Sequence, residues 1–294
     1  MIDYEYKKPK SLDEVFTLMK AYGSASRVIA GGTDLMVTMR RARKSPGVLI
    51  SLRGLEDLKY IRKDDAYHVG ALATHRMLEC SSLVRDELTA LQEGAAKVGS
   101  VQIRNVATVG GNICNAAPSA DTAGPLLALD AIVVLRGPEG ERHIPLAEFF
   151  KGPGKTVRQR DEVLIELEIP LEMGGYGSSY WKHSRREAMN LPLVGIAAAL
   201  HLTAEGLIDD ARIALTVAAP TPVRALKAEE FLKGKTPERD VLVEAGKIAS
   251  SPECCSPRDS LRCDAWYREE IIRVYVARML ALAVERAGNG GSST

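Results

Sequence analysis

Two short stretches of this chain carry the residue types needed to wrap a polyanion. Ala30-Gly31-Gly32-Thr33-Asp34-Leu35 and Thr108-Val109-Gly110-Gly111-Asn112 each contain paired glycines beside small polar residues. Glycine takes backbone torsions that a Cβ forbids, and it lets main-chain N–H groups come close to a bound anion. Asn112, Asn115, Ser119 and Asp121 then supply side-chain polar groups at short spacing. The wider stretch Ala107–Pro125 is too apolar for an ordinary surface loop and too rich in Gly, Asn and Pro for a strand or helix, so it reads as a buried, ligand-shaped loop. A tight turn between core elements would explain one Gly-Gly-Asn on its own. Its pairing with a second turn of the same character favours a ligand. Two glycine turns, each after a strand, suit a dinucleotide with a diphosphate better than a single phosphate. Backbone N–H groups at Gly31–Asp34 and Gly110–Asn112 would neutralise it without a lysine.

Other candidate chemistry is weaker. Neither turn spells Gly-x-Gly-x-x-Gly, which disfavours Rossmann-type binding, and in Gly152-Pro-Gly-Lys-Thr156 the first glycine of a P-loop would fall at Phe149, so a surface turn is expected. Ser184-Arg-Arg-Glu187 reads either as an anion clamp or as a solvated strand end with a domain-interface ion pair. The histidines at 68, 75, 143, 183 and 201 are scattered, and none is expected to join a carboxylate in a metal cluster. Five cysteines, at 80, 114, 254, 255 and 263, include no Cys-x-x-Cys pair. That argues against a disulfide framework and against a chain-borne zinc or iron–sulfur site, and predicts small buried or half-buried residues.

The elements that must position the two turns follow from hydrophobic periodicity. Ser11-Leu-Asp-Glu14 is a capping box that starts a helix, and Gly23 ends it. Arg27–Ala30 reads as a short buried strand, Leu35–Met39 as a helical turn and Val48–Leu52 as the next strand. Short strands are expected at Lys59–Arg62 and Tyr67–Gly70, one or two helices over Leu78–Val98, a helix over Leu126–Ala131, and strands at Ala131–Arg136, Arg142–Leu146 and Val163–Ile169. Gly174–Gly177 is the best boundary. Beyond it, Ser179–Ser184, Val194–Leu202 and Ala211–Ala218 suggest an antiparallel meander, followed by helices at Ala225–Leu232, Arg239–Ser250 and Asp264–Ala287 and a disordered tail at Gly288–Thr294. The expected domains are a first α/β lobe over 1–55, a second lobe over 56–175 and a C-terminal domain over 176–290.

With 294 residues and 46% hydrophobic content the chain can bury sizeable cores. Its 39 basic and 38 acidic residues leave no field to hold nucleic acid or an anionic membrane. The N-terminus lacks a signal-peptide core and no run approaches a membrane span, so a cytoplasmic location is expected.

At Ala30–Leu35, Gln102–Asn112, Ala117–Asp121, Ser184–Glu187 and Ser256–Arg262 the chain resembles the FAD-binding medium subunits of the molybdenum hydroxylases, the family of xanthine dehydrogenase and carbon monoxide dehydrogenase. The likeness spans nearly the whole chain in order. It implies an α+β fold: a two-part FAD-binding domain of the vanillyl-alcohol-oxidase (PCMH) type, then a C-terminal three-stranded antiparallel sheet with helices. It implies that Ala30, Gly31, Gly32, Thr33, Asp34 and Leu35, with Thr108, Gly110, Gly111 and Asn112, wrap the diphosphate of a non-covalent FAD. Asp121 would bond the ribose or its neighbourhood, Leu164 would pack near the flavin ring, and Lys182 would lie close to the ring's polar edge. Arg185 and Arg186 keep their reading as domain-joining residues. The same likeness places molybdopterin on a large partner subunit and [2Fe–2S] clusters on a small one. Electrons would reach FAD and leave for an external acceptor such as NAD, a quinone, ferredoxin or dioxygen. Two competitors are a self-sufficient FAD-dependent oxidase and an assembly subunit that has lost its cofactor; the plain C-terminal region opposes the first, and the intact glycine turns and Asp121 oppose the second.

Overall fold

A computed structural model describes residues 3–43 and 45–290. Ser11 starts α1 (Leu12–Tyr22) with one half of the expected capping box, its Oγ accepting from the Glu14 amide; the reciprocal bond reaches one residue further back, Glu14 Oε2 accepting from the Lys10 amide and not from that of Ser11. The chain then forms β2 (Ser26–Ile29), α2 (Leu35–Ala42) and β3 (Val48–Ser51). A strand not anticipated from the sequence, β1 (Glu5–Lys7), pairs parallel to β3, giving a three-stranded parallel sheet in the order β1-β3-β2. Its three residues are too few and too charged to show a strand period.

A second sheet, in the order β4-β5-β10-β6-β7, comprises β4 (Ile61–Lys63), β5 (Ala66–Gly70), β6 (Ile132–Gly137), β7 (Gly140–Pro145) and β10 (Val163–Pro170), all antiparallel. Between β5 and β6 the expected one or two helices are three, α3 (His75–Cys80), α4 (Ser82–Glu87) and α5 (Thr89–Ala96), followed by α6 (Val101–Arg104). Serine and threonine side chains at Thr74 and Ser81 cap the first two, so polar punctuation breaks one apolar run into short helices. Residues 152–154 turn between β8 (Phe150–Gly152) and β9 (Lys155–Thr156), after the short helix α9 (Leu146–Phe149), so the P-loop look-alike is a hairpin turn.

The Ala107–Pro125 stretch corrects the sequence reading. It is largely helical, with α7 (Val109–Asn115) and α8 (Ala123–Ala128) joined by a short turn. Thr108 N-caps α7 and the left-handed Ala116 ends it. A helix survives Gly110-Gly111 because both glycines lie in its first turn, and packing outweighs roughly 1 kcal/mol of propensity for each.

The C-terminal domain has three long antiparallel strands, β11 (Gly177–His183), β12 (Val194–Leu202) and β13 (Ile208–Thr216). A two-residue edge strand, β14 (Val223–Arg224), adds a fourth. The helices α10 (Leu226–Leu232) and α12 (Ala265–Gly290) cover this sheet and α11 (Arg239–Ala249) packs against both, with Ile272, Val276, Leu280 and Ala283 of α12 buried in the core. Thus residues 288–290, expected in a disordered tail, continue the last helix, and 291–294 lie outside the described residues.

Two residue-level expectations also change. Cys80, the last residue of α3, is exposed. His68 does meet carboxylates: its Nδ1 lies 2.9 Å from Glu166 Oε1, and its Nε2 lies 2.8 Å from Asp64 Oδ1 and 3.0 Å from Asp65 Oδ1. Burial opposes the charged ring, but the hydrogen bonds to Glu166 and Asp65 outweigh it and raise its pKa. The β5–β10 ladder brings Glu166 to residue 68, a juxtaposition that spacing along the chain does not show.

Candidate functional site

The two glycine stretches meet. A Cβ on Gly31 would stand 2.3 Å from the Val106 carbonyl oxygen and 2.9 Å from Ala107 Cα, so only glycine lets the first turn lie against the backbone leading into the second. Gly110 is buried by an equally close approach, its would-be Cβ 2.7 Å from Ala71 Cβ. Gly111 differs: it is exposed, and a Cβ there would meet only Thr108 Oγ1 at 2.9 Å and Ala30 Cβ at 3.9 Å. Gly32 holds φ +76°, a left-handed backbone that favours glycine.

A cleft of about 510 Å³ opens between the turns, within the usual range for small-molecule sites. Every residue of Ala30–Leu35 lines it, as do Thr108, Gly110, Gly111, Asn112, Asp121 and Leu164. Lys182 does not line it; its ammonium is 2.7 Å from Asp121 Oδ2 and 2.9 Å from the Lys97 carbonyl. Asp121 Oδ1 accepts from the Tyr180 hydroxyl at 3.0 Å. Burial raises the Asp121 carboxyl to about 6, against the pull of Lys182 and Tyr180, so it is chiefly ionised at neutral pH.

The two turns differ in what they offer an anion. In the second, the amides of Val109, Gly110 and Asn112 are taken by the carbonyls of Ala73, Ala71 and Thr108, and the Gly111 amide caps on Thr108 Oγ1 at 3.2 Å. The expectation that Gly110–Asn112 present bare N–H groups is therefore corrected: a helix's first turn leaves such groups open, but here the packed Ala71–Ala73 backbone, the Thr108 cap and one intrahelical bond take them. In the first turn, no protein acceptor among the described residues takes the amides of Gly31 to Leu35. Arg53 sets their direction. Its guanidinium donates to the carbonyls of Ala30, at 3.0 Å, and Gly31, at 2.8 Å. In a trans peptide the N–H points opposite to the C=O, so the Gly31 and Gly32 amides face away from Arg53. This run of open donors beside a left-handed glycine offers what an anion-binding nest needs.

Other residues that line the cleft or, like Arg53, shape it from behind escaped the sequence reading. Arg53, 22 positions beyond Gly31, carries no motif. Met189, Asn190 and Leu191 reach the cleft from the C-terminal domain, and the Met189 amide donates to the Gly99 carbonyl at 3.2 Å. That bond corrects the reading of Arg185 and Arg186, which bond instead to the carbonyls of Arg262 and Met189 within their own domain. Cys114 lines the cleft with its thiol pushed up to about 11 by burial, which keeps it protonated and unreactive.

His75 also lines the cleft, a role that its scattered position in the sequence did not single out. It is fully buried, and neither ring nitrogen has a hydrogen-bond partner among the described residues. Burial, reinforced by Arg104, lowers its pKa to about 4. Between pH 6.5 and 4 the unfolded chain takes up a proton that the folded one refuses, so stability is full above 6.5 and falls with pH by about 3 kcal/mol. Asp121 acts in the opposite sense over part of that window, since its folded pKa is raised. Comparing urea midpoints of wild type and His75→Leu from pH 7 to 4.5 isolates the histidine, and the wild type is expected to lose more stability as pH falls.

Open amides, a glycine wall where side chains would intrude, an apolar element at Leu164 and an unpartnered buried imidazole fit a flavin dinucleotide. Comparisons with known proteins agree. Residues 2–172 match the FAD binding domain in molybdopterin dehydrogenase, and residues 179–283 match the CO dehydrogenase flavoprotein C-terminal domain. The chain is 32% identical over 292 residues to the xanthine dehydrogenase FAD-binding subunit of Escherichia coli O157:H7, covering 98% of this chain and 99% of that one. A chain of the carbon monoxide dehydrogenase from Hydrogenophaga pseudoflava superposes with TM-score 0.91 at 32% identity, covering 97% of this chain and 99% of that one. A chain of quinoline 2-oxidoreductase from Pseudomonas putida 86 superposes with TM-score 0.89 at 26% identity, covering 97% and 98%. The α+β fold and the flavin-shaped cleft therefore have one explanation: the chain belongs to the family of FAD-binding subunits of the xanthine and carbon monoxide dehydrogenase type of oxidoreductase.

Proposed function

We propose that this chain holds FAD as the exit relay of a three-subunit molybdenum hydroxylase. It would take electrons from [2Fe–2S] clusters on a small subunit and pass them to an external acceptor such as NAD, a quinone, ferredoxin or dioxygen. The large subunit would carry molybdopterin and the substrate chemistry. One observation carries the reading of the cofactor: five consecutive amides, Gly31 to Leu35, have no protein acceptor among the described residues, in a segment that lines the same cleft as Gly110 and Gly111. Bound FAD supplies the ability to accept electrons one at a time and release them singly or in pairs.

This chain's residues bind, orient and tune. The Ala30–Leu35 amides receive the diphosphate, and Thr108, Gly110, Gly111 and Asn112 form the opposite wall. Thr122 donates to Asn112 Oδ1 at 2.7 Å, which leaves the Asn112 NH₂ donors for the ligand. Leu164, 3% exposed at the bulge of β10, gives the ring an apolar surface. Asp121 faces the nucleotide, while Lys182 and Tyr180 fix its carboxylate from behind. Lys182 thus acts through Asp121 and not at the ring edge. A protonated Cys114 suits a flavin held without a covalent bond. The boundaries 1–55, 56–175 and 176–290 are part of the same proposal, each region being built on its own main sheet. No helix among the described residues is long and apolar enough to cross a membrane, which fits the proposed cytoplasmic site of action.

The purified complex tests this. Denaturation is expected to release one FAD per copy of this chain, and reduced iron–sulfur partner is expected to bleach the flavin. Absence of released FAD sinks the cofactor assignment. Bleaching of the isolated chain by an organic substrate, with no partner present, sinks the relay role.

A further inference from the structure

His75 sits where the two halves of the cleft are tied together. It follows the Thr74 N-cap of α3, its amide donates to the Ala107 carbonyl at 3.0 Å, and Thr74 forms an isolated bridge with Thr108. Among the described residues, the only other buried side-chain polar atom without a partner is Thr216 Oγ1, which does not line the cleft. Arg104 is no partner, because its guanidinium is engaged by Glu79 and by the Val98 carbonyl.

A neutral imidazole has one N–H donor and one bare nitrogen that accepts. Leaving both unmet in a buried site is destabilising, so the ring is built for a guest that supplies an acceptor and a donor. Diphosphate oxygens only accept, and the open amides at Gly31 to Leu35 already suit them. Hydroxyl groups do both. Resting on the reading of the cleft as an FAD site, we propose that His75 binds the hydroxyl-bearing part of the nucleotide, donating from its N–H and accepting a hydroxyl proton on its other nitrogen. It is a binding residue that fixes where the sugar or sugar-alcohol part lies along the cleft.

The test uses the full chain with histidine ¹⁵N-labelled, stripped of flavin and then given FAD, riboflavin, ADP or inorganic pyrophosphate. With FAD, both His75 ring resonances are expected to shift while the ring stays neutral. The same shifts with riboflavin place the contact on the ribityl hydroxyls; the same shifts with ADP place it on the ribose. Bound FAD with unmoved His75 resonances overturns the inference and leaves the cofactor assignment standing, whereas failure to bind FAD at all overturns both. Shifts of both resonances with pyrophosphate alone also overturn it. In parallel, His75→Leu is expected to weaken FAD binding about tenfold or more, and His75→Gln, which keeps a donor and an acceptor, to recover part of that. Unchanged FAD affinity in His75→Leu overturns the proposal, and if that variant does not fold, the resonances of the wild type decide.

Discussion

Gly111→Val is expected to give a chain that folds and carries no FAD. The site tolerates the backbone change: the new Cβ meets one side-chain oxygen, Thr108 Oγ1, and no main chain, while valine is a better helix former than glycine. Its methyl groups then stand in the space between the turns that the ligand needs. Gly110→Val makes a useful contrast, because a Cβ there lies 2.8 Å from the Ala71 carbonyl oxygen and 3.0 Å from Ala71 Cα. That variant is expected to lose FAD by displacing α7, with a lowered melting temperature. Flavin released on denaturation and the thermal midpoint, measured on both variants, separate ligand exclusion from misfolding. Full FAD occupancy in Gly111→Val would refute the assignment of the cleft.

The second large effect concerns the buried pair behind the cleft. Asp121→Ala leaves the Lys182 ammonium, whose side chain is 3% exposed, with the Lys97 carbonyl as its remaining hydrogen-bond acceptor. Orphaning one member of a buried ion pair destabilises by about 3–5 kcal/mol, whereas replacing both by apolar groups is often close to neutral. Asp121→Ala is therefore expected to lower the unfolding midpoint sharply, and Asp121→Ala/Lys182→Met to recover most of the loss. A double-mutant cycle in urea reads the coupling, and simple additivity of the two single changes would contradict the pairing.

How far the sequence carried these conclusions depended on whether a feature was local. Ser11 and Glu14 cap α1 within four residues, and the turn at residues 30–35 has its small residues in one run, so both were legible. The second glycine stretch was legible as a site but not as a helix, because glycine content speaks against helix while the Thr108 cap and the contact with Ala71 decide it. Arg53 was illegible for another reason. Its role is to hold two carbonyls, and an arginine that orients a peptide looks like any other surface charge until the chain is folded. His75 did not stand out because a missing partner is visible only when every neighbour is in place. Lys182 was singled out by the family likeness, yet its side chain turns to Asp121, 61 residues away, a choice made by packing between domains.

That packing sets a limit on modularity. Tyr180 and Lys182 of β11 hold Asp121, Ser178 Oγ accepts from the Ala90 amide, and Glu93 receives both the Tyr180 amide and Arg286 of α12. The cleft wall at Asp121 and its fastenings are thus encoded on opposite sides of any cut near residue 175. A fragment ending there would carry both glycine turns but present an unpaired acid to an anionic guest. The two regions can be exchanged between relatives only as a matched set, and recombination that splits them should yield chimaeras selected against for their empty clefts.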